Sequence, residues 1–222
     1  VLTVRLADLL CAGEHWTVGR LLEALEYSLD LARKGDGEPV RFQGQAAQML
    51  QRRKDLVSLM RQSLQERRFR VWYQPVWDTA SGAFTSAEAL LRLSTPEGEA
   101  ISPAEFIPLA EESDLINDLS WLVLEEVCRL LSGGSVSALE SVSINLSMQQ
   151  FLDPDLVPRL RRCLETYGLS PTQLKIEITE RVAAQDIGRT AAVMEQLSGM
   201  GIHFYLDDFG TGWSNLSCAL DL

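Results

Sequence analysis

Two adjacent carboxylates, Asp207 and Asp208, close an alternating apolar run in the stretch IHFYLDDFGTGWSNL, which then enters a loop with two glycines. Three other runs present a strong oxygen ligand in a similar way. Side chains alternate across a strand, so each run divides into two faces. In SVSINLS, Val142, Ile144 and Leu146 share one face, and Ser143 and Asn145 share the other. In LKIEIT, Ile176 and Ile178 oppose Lys175, Glu177 and Thr179. In IHFYLD, Ile202, Phe204 and Leu206 oppose His203, Tyr205 and Asp207. In FTSAEALLRL, Ala87, Ala89 and Leu91 oppose Ser86, Glu88, Leu90 and Arg92. The apolar faces are suited to packing under helices. The opposite faces each carry one acid or amide, near the C-terminal end in the three later runs.

Glu88, Asn145, Glu177 and Asp207, with Asp208 adjacent, supply hard oxygen ligands and no imidazole or thiolate. Such a set suits Mg²⁺, Mn²⁺ or Ca²⁺ rather than zinc. Two divalent ions held close together stabilise an in-line attack on phosphorus. Acids converging without a cation would repel one another and pay heavily for burial. Taken singly, each residue has a blander role: a strand Glu paired with a surface Lys, a turn or cap Asn. The shared facing of all four is what points to a common site.

The elements that must position them alternate along the chain. Strands are expected at 70–77, 84–93, 141–147, 174–179 and 202–207, and helices at about 103–113, 117–132, 148–167 and 185–199. This alternation predicts βα units and a mostly parallel sheet. The short DTASGA turn makes the first two strands antiparallel. The fold class expected is α/β, a TIM-type (β/α)8 barrel with an antiparallel first strand, in which inner-face residues meet at the C-terminal mouth. Upstream, Leu21, Leu22, Leu25, Leu29 and Leu31 mark an amphipathic helix followed by a short strand in EPVRFQ. Residues 44–68 form a second helix with Met49, Leu56, Met60 and Leu64 on one stripe. It carries many basic residues and reads as a solvated linker helix rather than a membrane-surface one. Three segments follow: 1–43, a separate unit; 44–69, a linker helix; and 70–222, the domain with the acids.

Bulk properties narrow the function. The 222 residues carry a net charge of −11, and from Val71 onward there are eight Lys/Arg against twenty-two Asp/Glu. A DNA or RNA polymer is a poor partner for that surface, whereas a small phosphate ligand can be held through metal ions. The two histidines, His15 and His203, argue against a His-rich metal site. Cys11, Cys128, Cys163 and Cys218 lie far apart in sequence without a CxxC pair, and read as buried reduced thiols in a cytoplasmic protein. No run of roughly 18 apolar residues is present.

The blocks YQPVWDTASGAFTSAEALLRL, GEAISPAEFIPLAEESDLI, VSINLSMQQF, LKIEITER and LDDFGTGWSNL, in this order, resemble the EAL domains that hydrolyse cyclic di-GMP. The name motif stands at Glu88-Ala89-Leu90, and the resemblance covers roughly residues 50–222. It implies that Glu88, Asn145, Glu177 and Asp207 are metal ligands for a pair of Mg²⁺ or Mn²⁺ ions. Asp207 would bridge them, and Asp208 would serve the second. It implies that Arg92 contacts a substrate phosphate and that Gln74 and Leu90 line the substrate groove. Glu180 would support the loop at 208–215, whose Gly210 and Gly212 permit its shape. The implied reaction is water attack on one phosphodiester, giving linear pGpG. The implied assembly is a homodimer through the EAL domain. Residues 1–43, through EALEYSLDLARKGDGEPVRF, resemble the end of a GGDEF domain, although the GGDEF signature itself is absent.

The chain departs from the family pattern at Trp213, where Tyr is usual, and at Leu93, where Trp is common; neither is expected to abolish function. After SNLSCALDL the family continues with a catalytic Lys and later a Glu and a Gln. Five strand candidates stand here against about eight in a closed barrel. The protein is therefore expected either to extend past Leu222 or to need complementation, and the 222-residue piece alone is expected to be inactive. Two functions follow: a metal-dependent cyclic di-GMP phosphodiesterase, or a non-catalytic cyclic di-GMP receptor that relays the signal to a partner.

Overall fold

The chain clusters into two units, Val1–Leu59 and Met60–Leu222. A computed structural model describes residues 7–9, 17–34, 40–42, 45–134, 136, 138–151, 153–179 and 187–207.

In the first unit, β1 (Ala7–Leu9) and β2 (Val40–Phe42) pair in parallel, with α1 (Val18–Lys34) between them in sequence. The face of α1 that is buried consists of Ala24, Ser28 and Ala32, one residue every turn. The leucines expected to form that face flank it instead, and Leu22 is 55% exposed. Small side chains let a helix approach its neighbours closely, so the buried stripe follows size rather than hydropathy. Buried Ser28 satisfies its hydroxyl by donating to the Ala24 carbonyl at 2.8 Å. The following helix, α2 (Gln45–Gln65), buries Ala46, Leu56 and Met60 but leaves Met49 45% exposed, so its first turns bury Ala46 and pack Leu50 beside it in place of the expected Met49.

The second unit opens with an antiparallel hairpin, β3 (Arg70–Asp78) and β4 (Ala83–Ser94). Asp78 builds its turn. Its carboxylate accepts from the amides of Ala80 at 3.1 Å and Ser81 at 3.0 Å. Gly82, at φ +66°, supplies the left-handed residue that returns the chain to β4. Two-residue β5 (Ala100–Ile101) pairs with the end of β4. It is too short for any periodicity to reveal it. Then come α3 (Pro103–Glu112), α4 (Ile116–Ser132), β6 (Ser141–Asn145), α5 (Met148–Phe151), α6 (Leu156–Tyr167), β7 (Leu174–Thr179), α7 (Ile187–Met200) and β8 (His203–Asp207). One continuous helix over 148–167 is expected from the sequence, but two form. Pro154 disfavours a helical Asp153, and the Asp153 carboxylate takes up the Asp155 amide at 2.9 Å.

Strand order in the sheet is β3-β4-β6-β7-β8, antiparallel at the first pair and parallel thereafter. This is an α/β fold, an incomplete TIM-type barrel with an antiparallel first strand. Its core lies between the sheet and the helices. Val142, Ile144, Ile176 and Ile178 meet Leu124, Val127, Leu160 and Leu197, all buried. Gly168, at φ +64°, ends α6, and its amide returns to the carbonyls of Leu164 and Glu165.

Candidate functional site

Strand register decides whether the acids meet. Glu88 on β4 pairs with Ser143 on β6, two residues before Asn145. Asn145 pairs directly with Glu177 on β7. Glu177 pairs with Tyr205 on β8, two residues before Asp207. Every offset is even, so Glu88, Asn145, Glu177 and Asp207 occupy one face of the sheet, climbing diagonally with the strand stagger. Gln74 on β3 pairs with Glu88 and shares that face.

Side chains join along this diagonal. The Asn145 amide donates to Glu88 Oε1 at 2.9 Å. The buried Ser143 hydroxyl donates to the Ala87 carbonyl at 3.5 Å. The Glu177 carboxyl pKa is pushed up, first by burial and then by the charges of Glu88 and Asp207. Glu177 therefore senses a carboxylate on each side, one from β4 and one from β8. Among the described residues, no three His, Cys, Asp or Glu side chains close on a single point tightly enough to hold an ion.

A divalent cation nonetheless fits this site in donor type and in charge. The donors are all oxygen, which suits hard cations. The mutual repulsion that raises Glu177 is what a cation would reverse. Charging Glu177 costs stability as long as no cation is bound. A carboxyl whose folded pKa is raised binds its proton more tightly when folded, so stability falls as pH rises through the window from its ordinary 4.5 upward. In chelator, Glu177→Gln is expected to melt above wild type near neutral pH, and the difference should vanish below about pH 4.5. Thermal melts across pH read it out; a Glu177→Gln curve that runs parallel to wild type would show that Glu177 is not strained.

Beside the acids lies a cavity of about 500 Å³, lined by Leu90, Arg92, Asn145 and Asp207. Ile107 of α3 and Ile116 and Val123 of α4 give it an apolar wall. That volume and mixture suit a small organic ligand. The Arg92 guanidinium donates to the Leu91 carbonyl at 3.0 Å and stands over the Trp72 ring at 5.5 Å. A planar cation fixed in this way is suited to a phosphate.

The fold thus brings together Gln74, Glu88, Leu90, Arg92, Asn145, Glu177 and Asp207. Asp208, Glu180 and the loop at 208–215 lie outside the described residues. Three contributors escaped the sequence reading as site residues. Ser143, on the same face by its alternation with Val142 and Ile144, stands beside Glu88 in the strand register and donates to the Ala87 carbonyl. Trp72 packs under Arg92, a cross-strand relation that only the hairpin register reveals. The α3–α4 wall has no sequence signal beyond ordinary amphipathicity.

A model of the EAL domain family matches residues 58–222. The chain belongs to the EAL domain family. The signaling protein YkoW of Bacillus subtilis (strain 168) is 37% identical over 164 residues, which are 73% of this chain and 20% of that protein. The bifunctional diguanylate cyclase/cyclic di-GMP phosphodiesterase MucR of Pseudomonas aeruginosa is 38% identical over 161 residues, 71% of this chain and 23% of that protein. A solved structure of the Pseudomonas aeruginosa MucR phosphodiesterase in complex with c-di-GMP superposes with a TM-score of 0.70 at 36% identity. It covers 76% of this chain and 69% of that one. This EAL domain chain spans about a fifth of the length of these curated relatives.

Proposed function

We propose that the protein carrying this chain is a cyclic di-GMP phosphodiesterase that hydrolyses one phosphodiester of the dinucleotide to give linear pGpG. The observation that carries this reading is the convergence on one sheet face of Glu88, Asn145, Glu177 and Asp207, with Glu177 coupled to the acids on both sides. The names of MucR and of its c-di-GMP complex support it. Glu88, Asn145, Glu177 and Asp207, with Asp208, would hold two Mg²⁺ or Mn²⁺ ions. Bound there, the ions supply charge neutralisation for the phosphodiester and acidify water. Arg92 pairs with a phosphate oxygen of the substrate. Leu90 and the α3–α4 wall receive a base on an apolar surface, and Gln74 borders the groove beside Glu88. Glu180 would steady the loop that carries Asp208.

The separation of the acids favours a second reading, a receptor that binds cyclic di-GMP without turnover. Incubation of the full-length protein with cyclic di-GMP and Mn²⁺, with chromatography of the product, separates the two. Accumulating pGpG supports the enzyme. Saturable binding with intact nucleotide supports the receptor. Neither binding nor product would end both readings. Metal binding has its own readout. With Mn²⁺ at about 100 times its Kd, the wild-type Tm is expected to rise by roughly 5–10 °C. Arg92→Ala should retain that rise, and Asp207→Ala should lose it.

The wider setting is proposed on the same footing: residues 1–43 as the end of a GGDEF-like unit, 44–69 as a linker helix and 70–222 as the EAL part. A homodimer through the EAL domain, an upstream sensor or GGDEF domain and a cytoplasmic site of action complete it. Among the described residues no helix is long and apolar enough to cross a membrane.

A further inference from the structure

Two of the cysteines that lie far apart in sequence meet in space. Cys128 of α4 and Cys163 of α6 stand with their sulfurs 3.5 Å apart, and the Cys163 thiol donates to Cys128. Cys128 is fully buried, whereas Cys163 is half-buried and lines a cavity of about 770 Å³ between α4 and α6. A zinc site does not explain the pair, since among the described residues no third His, Cys, Asp or Glu joins it to hold a metal. The cavity lining holds five arginines against three acids, which suits a small anionic molecule.

We infer that Cys128 and Cys163 form a reversible disulfide that staples α4 to α6, made by exchange with an anionic low-molecular-weight disulfide that reaches Cys163 from this cavity. The chemistry closes without any other reagent. The Cys163 thiolate attacks one sulfur of the small disulfide, forming a mixed disulfide and releasing one small thiolate. The Cys128 thiolate then attacks Cys163 Sγ, forming the protein disulfide and releasing the second small thiolate. The two protons lost by the cysteines end on the two small thiols. Two protein thiols are oxidised by two electrons, and one small disulfide is reduced. The sulfurs must close by about 1.5 Å to reach a bond of about 2.05 Å.

Burial raises the pKa of both thiols, Cys128 the more strongly, and the charge of Glu125 adds to each. The pair therefore exchanges slowly, because little of either thiol is thiolate near neutral pH. Its place in the chain gives the bond a consequence. The segment between Cys128 and Cys163 contains β6 and Asn145. A cross-link across it constrains the unfolded chain and raises Tm by roughly 5–10 °C.

The test incubates the native chain with oxidised glutathione, quenches with N-ethylmaleimide and maps peptides without reduction. A Cys128–Cys163 peptide pair, lighter by two hydrogen atoms than the two thiol peptides together, is expected. It should disappear with dithiothreitol and carry the Tm rise with it. Cys163→Ser should lose both effects, and Cys11→Ser and Cys218→Ser should keep them. The wild-type map decides the matter even where a variant fails to fold. Maleimide on both Cys128 and Cys163 after oxidation would overturn the inference. So would glutathione left on Cys163 without transfer, or a cross-link to Cys11 or Cys218.

Discussion

In the full-length protein, replacing Glu88 by alanine is expected to lower the kcat for the proposed cyclic di-GMP hydrolysis by on the order of 10³ while leaving the fold intact. Glu88 is only half-buried, and its hydrogen bond is to Asn145, another residue of the site. Losing it removes one acid from a repelling group, so the metal-free protein should not be destabilised. The cavity with Leu90 and Arg92 survives, so binding of the dinucleotide should change far less than turnover. Arg92→Ala should show the converse, a raised KM with a smaller loss of kcat, because the proposed phosphate contact would be made already in the ground state. Product formation under single-turnover conditions, paired with a circular dichroism melt, distinguishes the two variants. Full activity in Glu88→Ala would remove the oxygen cluster from the chemistry altogether.

The largest effect on stability is expected at Phe151. This ring is 1% exposed and packs against Phe204, with centroids 6.0 Å apart and planes tilted by 54°. Phe151 stands on α5, just after Asn145, and Phe204 stands on β8, three residues before Asp207. The pair therefore ties the segment after β6 to β8, and β6 and β8 are the two strands that carry the candidate ligands Asn145 and Asp207. Phe151→Ala is expected to cost about 3–5 kcal/mol, or roughly 6–20 °C in Tm for a unit of this size. Phe151→Leu, which keeps most of the volume, should recover more than half of that. Urea melts of the three proteins measure it. An unchanged midpoint in Phe151→Ala would mean that the contact with Phe204 contributes little. A loss of metal affinity larger in Phe151→Ala than in Phe151→Leu would link packing to the geometry of the site.

What could be read in advance follows from periodicity. A period of two is unmistakable in SVSINLS and LKIEIT, and it already assigns Asn145 and Glu177 to the face away from the helices. The shared face of the candidate ligands was legible for that reason, and the antiparallel first pair was legible from its short polar turn. What was not legible depends on distance across the chain or on elements too short to repeat. Two-residue β5 has no period. The division of α5 from α6 was signalled by Pro154, but the helical pattern on either side obscured it. The buried stripe of α1 runs along Ala24, Ser28 and Ala32 because small residues permit close packing, which a reading by hydropathy does not weigh. The approach of Cys128 to Cys163 depends on two parallel helices lying side by side, and nothing in the spacing of 35 residues announces it. Nor does sequence alone show that the Ser143 hydroxyl reaches the Ala87 carbonyl, since that requires the register of β4 against β6.

The most direct test of convergence is an anomalous-difference map from crystals of the protein grown with Mn²⁺. One or two peaks should lie about 2.1 Å from carboxylate or amide oxygens of Glu88, Asn145, Glu177 and Asp207, with at least two of the four strands contributing to a single ion. A map with manganese only at unrelated surface acids, and none on this face of the sheet, would show that these residues share a face without sharing a cation.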